Sequence, residues 1–363
     1  MSEIPTNAGK RKPTAKKKFS LDDFKKKTGT QKVSDKPLTW YKTSEALQKA
    51  TGLPGFPRGY VSLSRGFSNT GKSTSVTEAA VAAQKMGDLV IFIDTENNIG
   101  DSRLKLMGLD VDNIIMIDNE YLLENFGKPK DKNRSEAAIE DMAECISHFL
   151  NLQDAGELPH NLCFIIDSIG TLDCIKTINA HDKGSSDNNM WNAGAFEKSF
   201  KYLLNSRIPS SRKENKEYIN TIIGVQKIWL DSMAGGMPVV KHKGGEAFFF
   251  GARLIYHHGG TLTHGTKRII ATSKKRDINF GIESKVAVVK NQIDGPLGGI
   301  NMEGKLISTP HGFIGTDTSD KDNYKKENIE YFRDALGGDI DLDSITTEYI
   351  EDDDLNFSEV SDN

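Results

Sequence analysis

Short apolar runs recur through the middle of the chain, at residues 60–64, 89–93, 114–117, 162–166, 221–225, 254–257 and 286–289. Several are apolar nearly throughout rather than alternating, as expected for central strands covered on both faces. Between them, residues 72–86, 135–152 and 191–206 carry mixed patterns of helical character. That order predicts an α/β fold, with a mostly parallel sheet covered by helices. Two polar stretches, 177–189 and 229–245, fit neither period, and the second carries Gly235, Gly236, Gly244 and Gly245. Long loops inside a compact domain are usually functional or disordered. Helical character returns at 324–336.

The two ends differ from this body in charge. Residues 1–37 hold 11 Lys or Arg against 4 acids, whereas residues 337–363 hold 10 acids and no Lys or Arg. The chain therefore divides into a basic arm (1–37), a core (38–316), a helical extension (317–336) and an acidic tail (337–363) expected to stay disordered. Most of the arm is expected to be disordered too. One stretch of it could form a turn, with Ser20 as N-cap and Asp22 and Asp23 in the first turn. Phe19, Leu21 and Phe24 would then make it a candidate oligomerisation segment.

With 37% apolar and 27% charged residues, the 363-residue chain has the composition of a soluble globular protein. No apolar run approaches the roughly 18 to 20 residues a bilayer-spanning helix needs, which argues against a membrane role. Cys145, Cys163 and Cys174 are too few and too irregularly spaced for a disulfide framework or zinc site, so a reducing, cytoplasmic setting is expected.

The strongest chemical signal is Gly66-Phe67-Ser68-Asn69-Thr70-Gly71-Lys72-Ser73, followed by Thr74. It matches G-x-x-x-x-G-K-[ST], follows an apolar run and opens a helical segment. Such a loop wraps phosphates in backbone N–H groups at a helix N-terminus. Lys72 would neutralise the β and γ phosphates of a nucleotide, and the Ser73 hydroxyl would ligate Mg²⁺. Asp167 ends another apolar run, where ligands of open α/β sheets bind, and would hold Mg²⁺ directly or through water, or else cap the next segment. Glu96 follows a third run and could polarise an attacking water or simply cap a helix. Gln226 could sense a γ phosphate, although an ordinary polar strand end is the simpler reading of that residue alone.

Taken in order, Gly55-Phe-Pro-Arg-Gly-Tyr60, the phosphate loop, Phe92-Ile-Asp-Thr-Glu96, Gly108-Leu-Asp-Val-Asp-Asn113, Ile166-Asp-Ser-Ile169, Gln226, Gly244-Gly245 and Val288-Val-Lys-Asn291 resemble the ATPase core of the RecA family. Within that family the chain looks most like bacteriophage recombinases of the UvsX type. The resemblance covers about residues 45 to 315. It implies a RecA-type P-loop fold, ATP and Mg²⁺ as nucleotide and metal, and a helical homo-oligomeric filament on single-stranded DNA. It also implies pairing with homologous double-stranded DNA and strand exchange in recombination and repair. A loading mediator and a single-strand-binding protein would be accessory partners, and the setting would be the cytoplasm of a host cell.

The resemblance further implies that Glu96 is catalytic, that Asp167 serves the metal and that Gln226 reads the γ phosphate. Lys290 would reach ATP across a subunit interface, while Gln292 stands where the family has a second such lysine. Arg103 stands where an aromatic stacks on adenine and could stack as a guanidinium plane. DNA-binding loops would lie near 177–192 and 227–245. In the second, Lys227, Lys241 and Lys243 would meet phosphates and Trp229, Met233 and Met237 bases, with Gly244 and Gly245 closing the loop. Two other readings stay open from sequence: a RecA-like mediator or regulator without strand exchange, and a RecA-fold hexameric helicase.

Overall fold

All the apolar runs become strands, and further strands that the hydrophobic pattern does not announce extend the same sheet. The computed structural model describes residues 20–29, 33–127, 134–182, 184, 189–231, 239–242, 245–273, 276–337 and 345–351. The chain begins with α1 (Leu21–Thr28), β1 (Trp40–Lys42), α2 (Glu45–Thr51), β2 (Gly55–Pro57), β3 (Val61–Gly66) and α3 (Lys72–Lys85). Next come β4 (Leu89–Asp94), α4 (Asp101–Leu106), β5 (Ile115–Ile117), α5 (Asn119–Phe126), α6 (Ile139–Asp154), β6 (Leu162–Ile169), α7 (Ile175–His181) and α8 (Asn189–Tyr202). After α9 (Ile208–Ser210) follow β7 (Asn220–Asp231), β8 (Val239–His242), α10 (Gly245–Gly251), β9 (Leu254–His258), β10 (Lys267–Ser273) and β11 (Arg276–Asn291). The last elements are β12 (Glu303–Thr309), β13 (Gly312–Ile314), α11 (Thr318–Glu327), α12 (Ile329–Leu336) and β14 (Thr346–Glu351).

Strands β9-β3-β7-β6-β4-β5 lie side by side and all run parallel. Beyond β9 the sheet continues antiparallel through β11, β12 and β13, with β10 branching from β11 and β14 pairing with β10. The apolar runs lack alternation because both faces of the parallel block are covered. Leu162, Phe164 and Ile166 of β6 join Met142 and Ile146 of α6 and Phe196 and Phe200 of α8 in one core. Cys163 and Ile165 face the other way and join Val76, Ala79, Ala80 and Ala83 of α3. The alanines let α3 lie close on the sheet, which holds the start of that helix at the end of β3.

Three expectations are corrected. Residues 229–245 do not form a loop from end to end: β7 runs on to Asp231 and pairs with β8, Trp229 opposite Lys241 and Leu230 opposite Val240. β-Branched and aromatic residues favour that hairpin once a partner strand is present. In the 177–189 stretch, helix α7 reaches His181. The acidic tail is not wholly detached either, because β14 adds to the free edge of β10 with Lys267 opposite Glu351 and Ile269 opposite Tyr349. Thr346, Thr347, Tyr349 and Ile350 are good strand formers, a signal the surrounding acids outweigh in a composition-based reading. In the basic arm, Ser20 does cap α1, its Oγ accepting the Asp23 N–H at 3.2 Å, and no residue of that helix is buried.

One buried ion pair ties the start of the sheet together. Arg58 grips Asp88 with Nε at 2.7 Å from Oδ2 and a second contact from Nη2 to Oδ1, and Tyr41 donates to Oδ2 at 2.6 Å. Asp88→Ala would strand the largely buried guanidinium and should cost about 3–5 kcal/mol of stability. The urea unfolding midpoint reports this, with the slope of the transition unchanged.

Candidate active site

Strand β3, between β9 and β7 in the parallel block, delivers the chain into the 66–71 loop at its carboxyl end, and α3 leaves from Gly71. Gly66 is required by closeness: a Cβ there would come within 2.2 Å of the His258 carbonyl oxygen. Gly71, the helix N-cap, has φ 95, a conformation that carries a strain penalty for residues with a Cβ. Thr70 Oγ1 donates to the Phe67 carbonyl at 2.8 Å, and Ser284 Oγ donates to the Thr70 carbonyl at 2.9 Å. Lys72 is buried and its ammonium donates to the Phe67 carbonyl.

Strands β4 and β6 bring the acids to the same end, Asp94 lying opposite Asp167 in their register. Asp94 is a structural cap, accepting the N–H of Glu96 at 3.1 Å and of Ile99 at 3.0 Å. The Ser73 hydroxyl lies near enough to pull on the Asp167 carboxyl, whose Oδ2 is buried with no hydrogen-bond partner. Burial pushes the Asp167 carboxyl up to about 6 against the pull of Ser73, and lowers Lys72 to about 8 against the pull of Asp167. Both groups are thus held where their charged forms are disfavoured unless an opposite charge arrives. A buried carboxylate oxygen without a partner, beside a serine hydroxyl, fits a hard divalent cation that keeps waters and substrate phosphates as its other ligands.

Glu96 is held from four sides. Ser168 Oγ and Thr171 Oγ1 donate to Oε1 at 2.5 and 3.1 Å, while Lys227 Nζ and Asn98 Nδ2 donate to Oε2 at 2.6 and 3.1 Å. Burial raises its carboxyl, but the hydrogen bonds from Lys227 and Ser168 outweigh that and leave it lowered. Thr95 fixes the segment, donating its N–H to the Asp167 carbonyl at 2.9 Å and its hydroxyl to the Ser168 carbonyl at 2.8 Å.

These groups enclose a cavity of about 380 Å³, walled by Ser68, Asn69, Thr70, Gly71, Lys72, Ser73 and Thr74 together with Glu96, Arg103 and Asp167. Arg103 Nη2 donates to Thr74 Oγ1 at 3.1 Å, which places the guanidinium beside the loop, as its sequence position suggests. A larger cleft of about 810 Å³ between Leu38, Trp40, Val81 and Met86 has no comparable chemistry; its carboxylate, Glu78, is engaged by Ser44 and the Phe313 N–H.

Not every expected residue meets the cavity. Val225 and Lys227 line it, whereas fully buried Gln226 does not, because alternate residues of a strand face opposite sides of the sheet. For the same reason Lys227, expected on DNA, pairs with Glu96 instead. Lys290 donates to the carbonyls of Phe249 and Phe250 at 2.8 and 3.2 Å and is absent from the cavity wall. In the hairpin, Trp229 is exposed and Lys241 pairs with Asp231. Gly245 opens α10, and Met233, Met237, Lys243 and Gly244 lie outside the described residues. Ser308, Ile282, Ser168 and Thr171 were not anticipated. Ser308 and Ile282 come from antiparallel strands with no motif, whereas Ser168 follows Asp167 directly and could have been flagged by position.

The RecA N-terminal domain family matches residues 16–122. Protein RecA of Mesomycoplasma hyopneumoniae (strain 7448) is 33% identical over 106 residues, 27% of this chain and 32% of that protein. Protein RecA of Acholeplasma laidlawii (strain PG-8A) is 38% identical over 73 residues, 20% and 22% of the two chains. Protein RecA of Aquifex pyrophilus is 35% identical over 78 residues, 22% of each. The similarity thus spans about a third or less of these relatives' length. The family match contains the phosphate loop, Glu96 and Arg103, and with the sheet order it supports a RecA-type core for this α/β fold.

Proposed function

We propose that the protein is a DNA-dependent ATPase of the RecA type, of the bacteriophage UvsX kind, that assembles as a filament on single-stranded DNA and exchanges strands with a homologous duplex. The observation that carries the reading is the convergence of the 66–73 loop, Glu96 and Asp167 in one cavity at the carboxyl ends of β3, β4 and β6. The loop backbone and Lys72 hold the phosphates of ATP, and Arg103 lies against the base side. Ser73 and Asp167 would hold Mg²⁺, which when bound would supply positive charge to the transferring phosphoryl group. Glu96 accepts the proton of the attacking water. Lys290 does not line its own cavity and acts on the ATP of a neighbouring copy. The phage kind and strand exchange rest on the sequence resemblance.

The exposed hairpin, with Trp229 and Lys241, offers an aromatic face and a cation to single-stranded DNA. Electron microscopy with single-stranded DNA and a non-hydrolysable ATP analogue tests the assembly. Extended coats on the DNA are expected; closed rings would favour a helicase, and bare DNA would remove the recombinase reading.

The acidic end competes with DNA for basic surface. Deleting residues 352–363 removes Asp352, Asp353, Asp354, Glu359 and Asp362 while leaving β14 on β10. Single-stranded DNA binding should tighten several-fold at low salt, and the difference should vanish as salt screens it. Superimposable isotherms across a salt titration would leave the segment no competitive role.

A further inference from the structure

Glu96 cannot accept a proton from water as it stands. A carboxylate offers about four lone-pair sites, and Ser168, Thr171, Lys227 and Asn98 occupy that number. In the hydrolysis assigned above, the water oxygen bonds to the terminal phosphorus and the bond to the bridging oxygen breaks, its electron pair staying on ADP. The proton lost by the water needs a free site on Glu96, so one donor has to leave. Lys227 is the donor best placed to do so. It is cationic, it sits on a flexible stem, and it lines the same cavity as Lys72 and the phosphate loop. Its backbone lies opposite Gly66, the first residue of that loop, in the β3–β7 register.

We infer that Lys227 is a positioning residue that occupies Glu96 until the terminal phosphate of ATP draws its ammonium away, so that filling the cavity itself frees the general base. The inference rests on the ATPase reading of the site. It follows from competition: a terminal phosphate carries more negative charge than one carboxylate and presents several acceptor oxygens. ADP lacks that phosphate and leaves the Lys227–Glu96 pair closed. The two ends of the pair therefore act in opposite senses on ATP affinity. Removing Lys227 deletes a contact to the terminal phosphate, whereas neutralising Glu96 releases Lys227 to make it.

The test is binding of ATPγS and of ADP to the full-length protein with Mg²⁺, by calorimetry, in wild type, Lys227→Met, Lys227→Arg, Glu96→Gln and the Lys227→Met/Glu96→Gln double variant. Lys227→Met should weaken ATPγS about tenfold and leave ADP unchanged, and Lys227→Arg should restore most of the loss. Glu96→Gln should tighten ATPγS several-fold, and the double variant should match Lys227→Met. Equal effects on ATPγS and ADP, or weaker ATPγS binding in Glu96→Gln, would overturn the inference while leaving the nucleotide site standing. No binding of either nucleotide to wild type would instead remove the ATPase reading itself. The Lys227 side chain is 39% exposed, so its replacement leaves no buried void, and Glu96→Gln tests the pair from the other side.

Discussion

Lys72→Ala should abolish ATP hydrolysis, with turnover falling by on the order of 10²- to 10³-fold or below detection. The side chain starts α3 beside the phosphate loop, and its ammonium now rests on the Phe67 carbonyl, inside the loop the phosphates would fill. Burial lowers its pKa to about 8, so the site holds the charge at a cost to the fold. A bound triphosphate would offset that cost, so on the proposed reading the cation is worth more to the ligand than to the protein. Stability should accordingly be unchanged or slightly higher in Lys72→Ala, read as the thermal midpoint without nucleotide. A variant that unfolded early and lost activity together would point to a structural lysine instead.

Glu96→Gln should slow hydrolysis by about 10²- to 10⁴-fold while binding ATP at least as well as wild type. The amide keeps the shape and can still accept from Ser168 and Thr171 on its oxygen, but it cannot take a proton from water. Assemblies on single-stranded DNA should then outlast those of wild type, because ATP stays in place. Single-turnover phosphate release separates the chemical step from binding, and a normal burst would show that another group serves as base.

The sequence makes the 66–71 loop legible because that loop is built from backbone: Gly66 and Gly71 are demanded by a close carbonyl and a left-handed φ, and such demands show as residue type at fixed spacing. Asp167 and Glu96 were legible from their position at the ends of apolar runs. Lys227 was not. A strand buried on both faces shows no alternation, so nothing in residues 221–225 reveals which of Gln226 and Lys227 turns to the cavity. The antiparallel half was equally silent, since Ser308 and Ile282 enter the site through pairings of β11 and β12 that no local pattern encodes. Strand β14 was obscured by its acidic neighbours; it forms because β10 offers a free edge, a fact of topology rather than of propensity.

The most direct measurement is phosphate release by the purified full-length protein with ATP and Mg²⁺, with and without single-stranded DNA, beside Lys72→Ala. Wild type should hydrolyse ATP several-fold faster with the DNA, and Lys72→Ala should show neither basal nor stimulated turnover. Wild-type protein that leaves ATP intact, a rate indifferent to DNA, or equal turnover in Lys72→Ala would contradict the account.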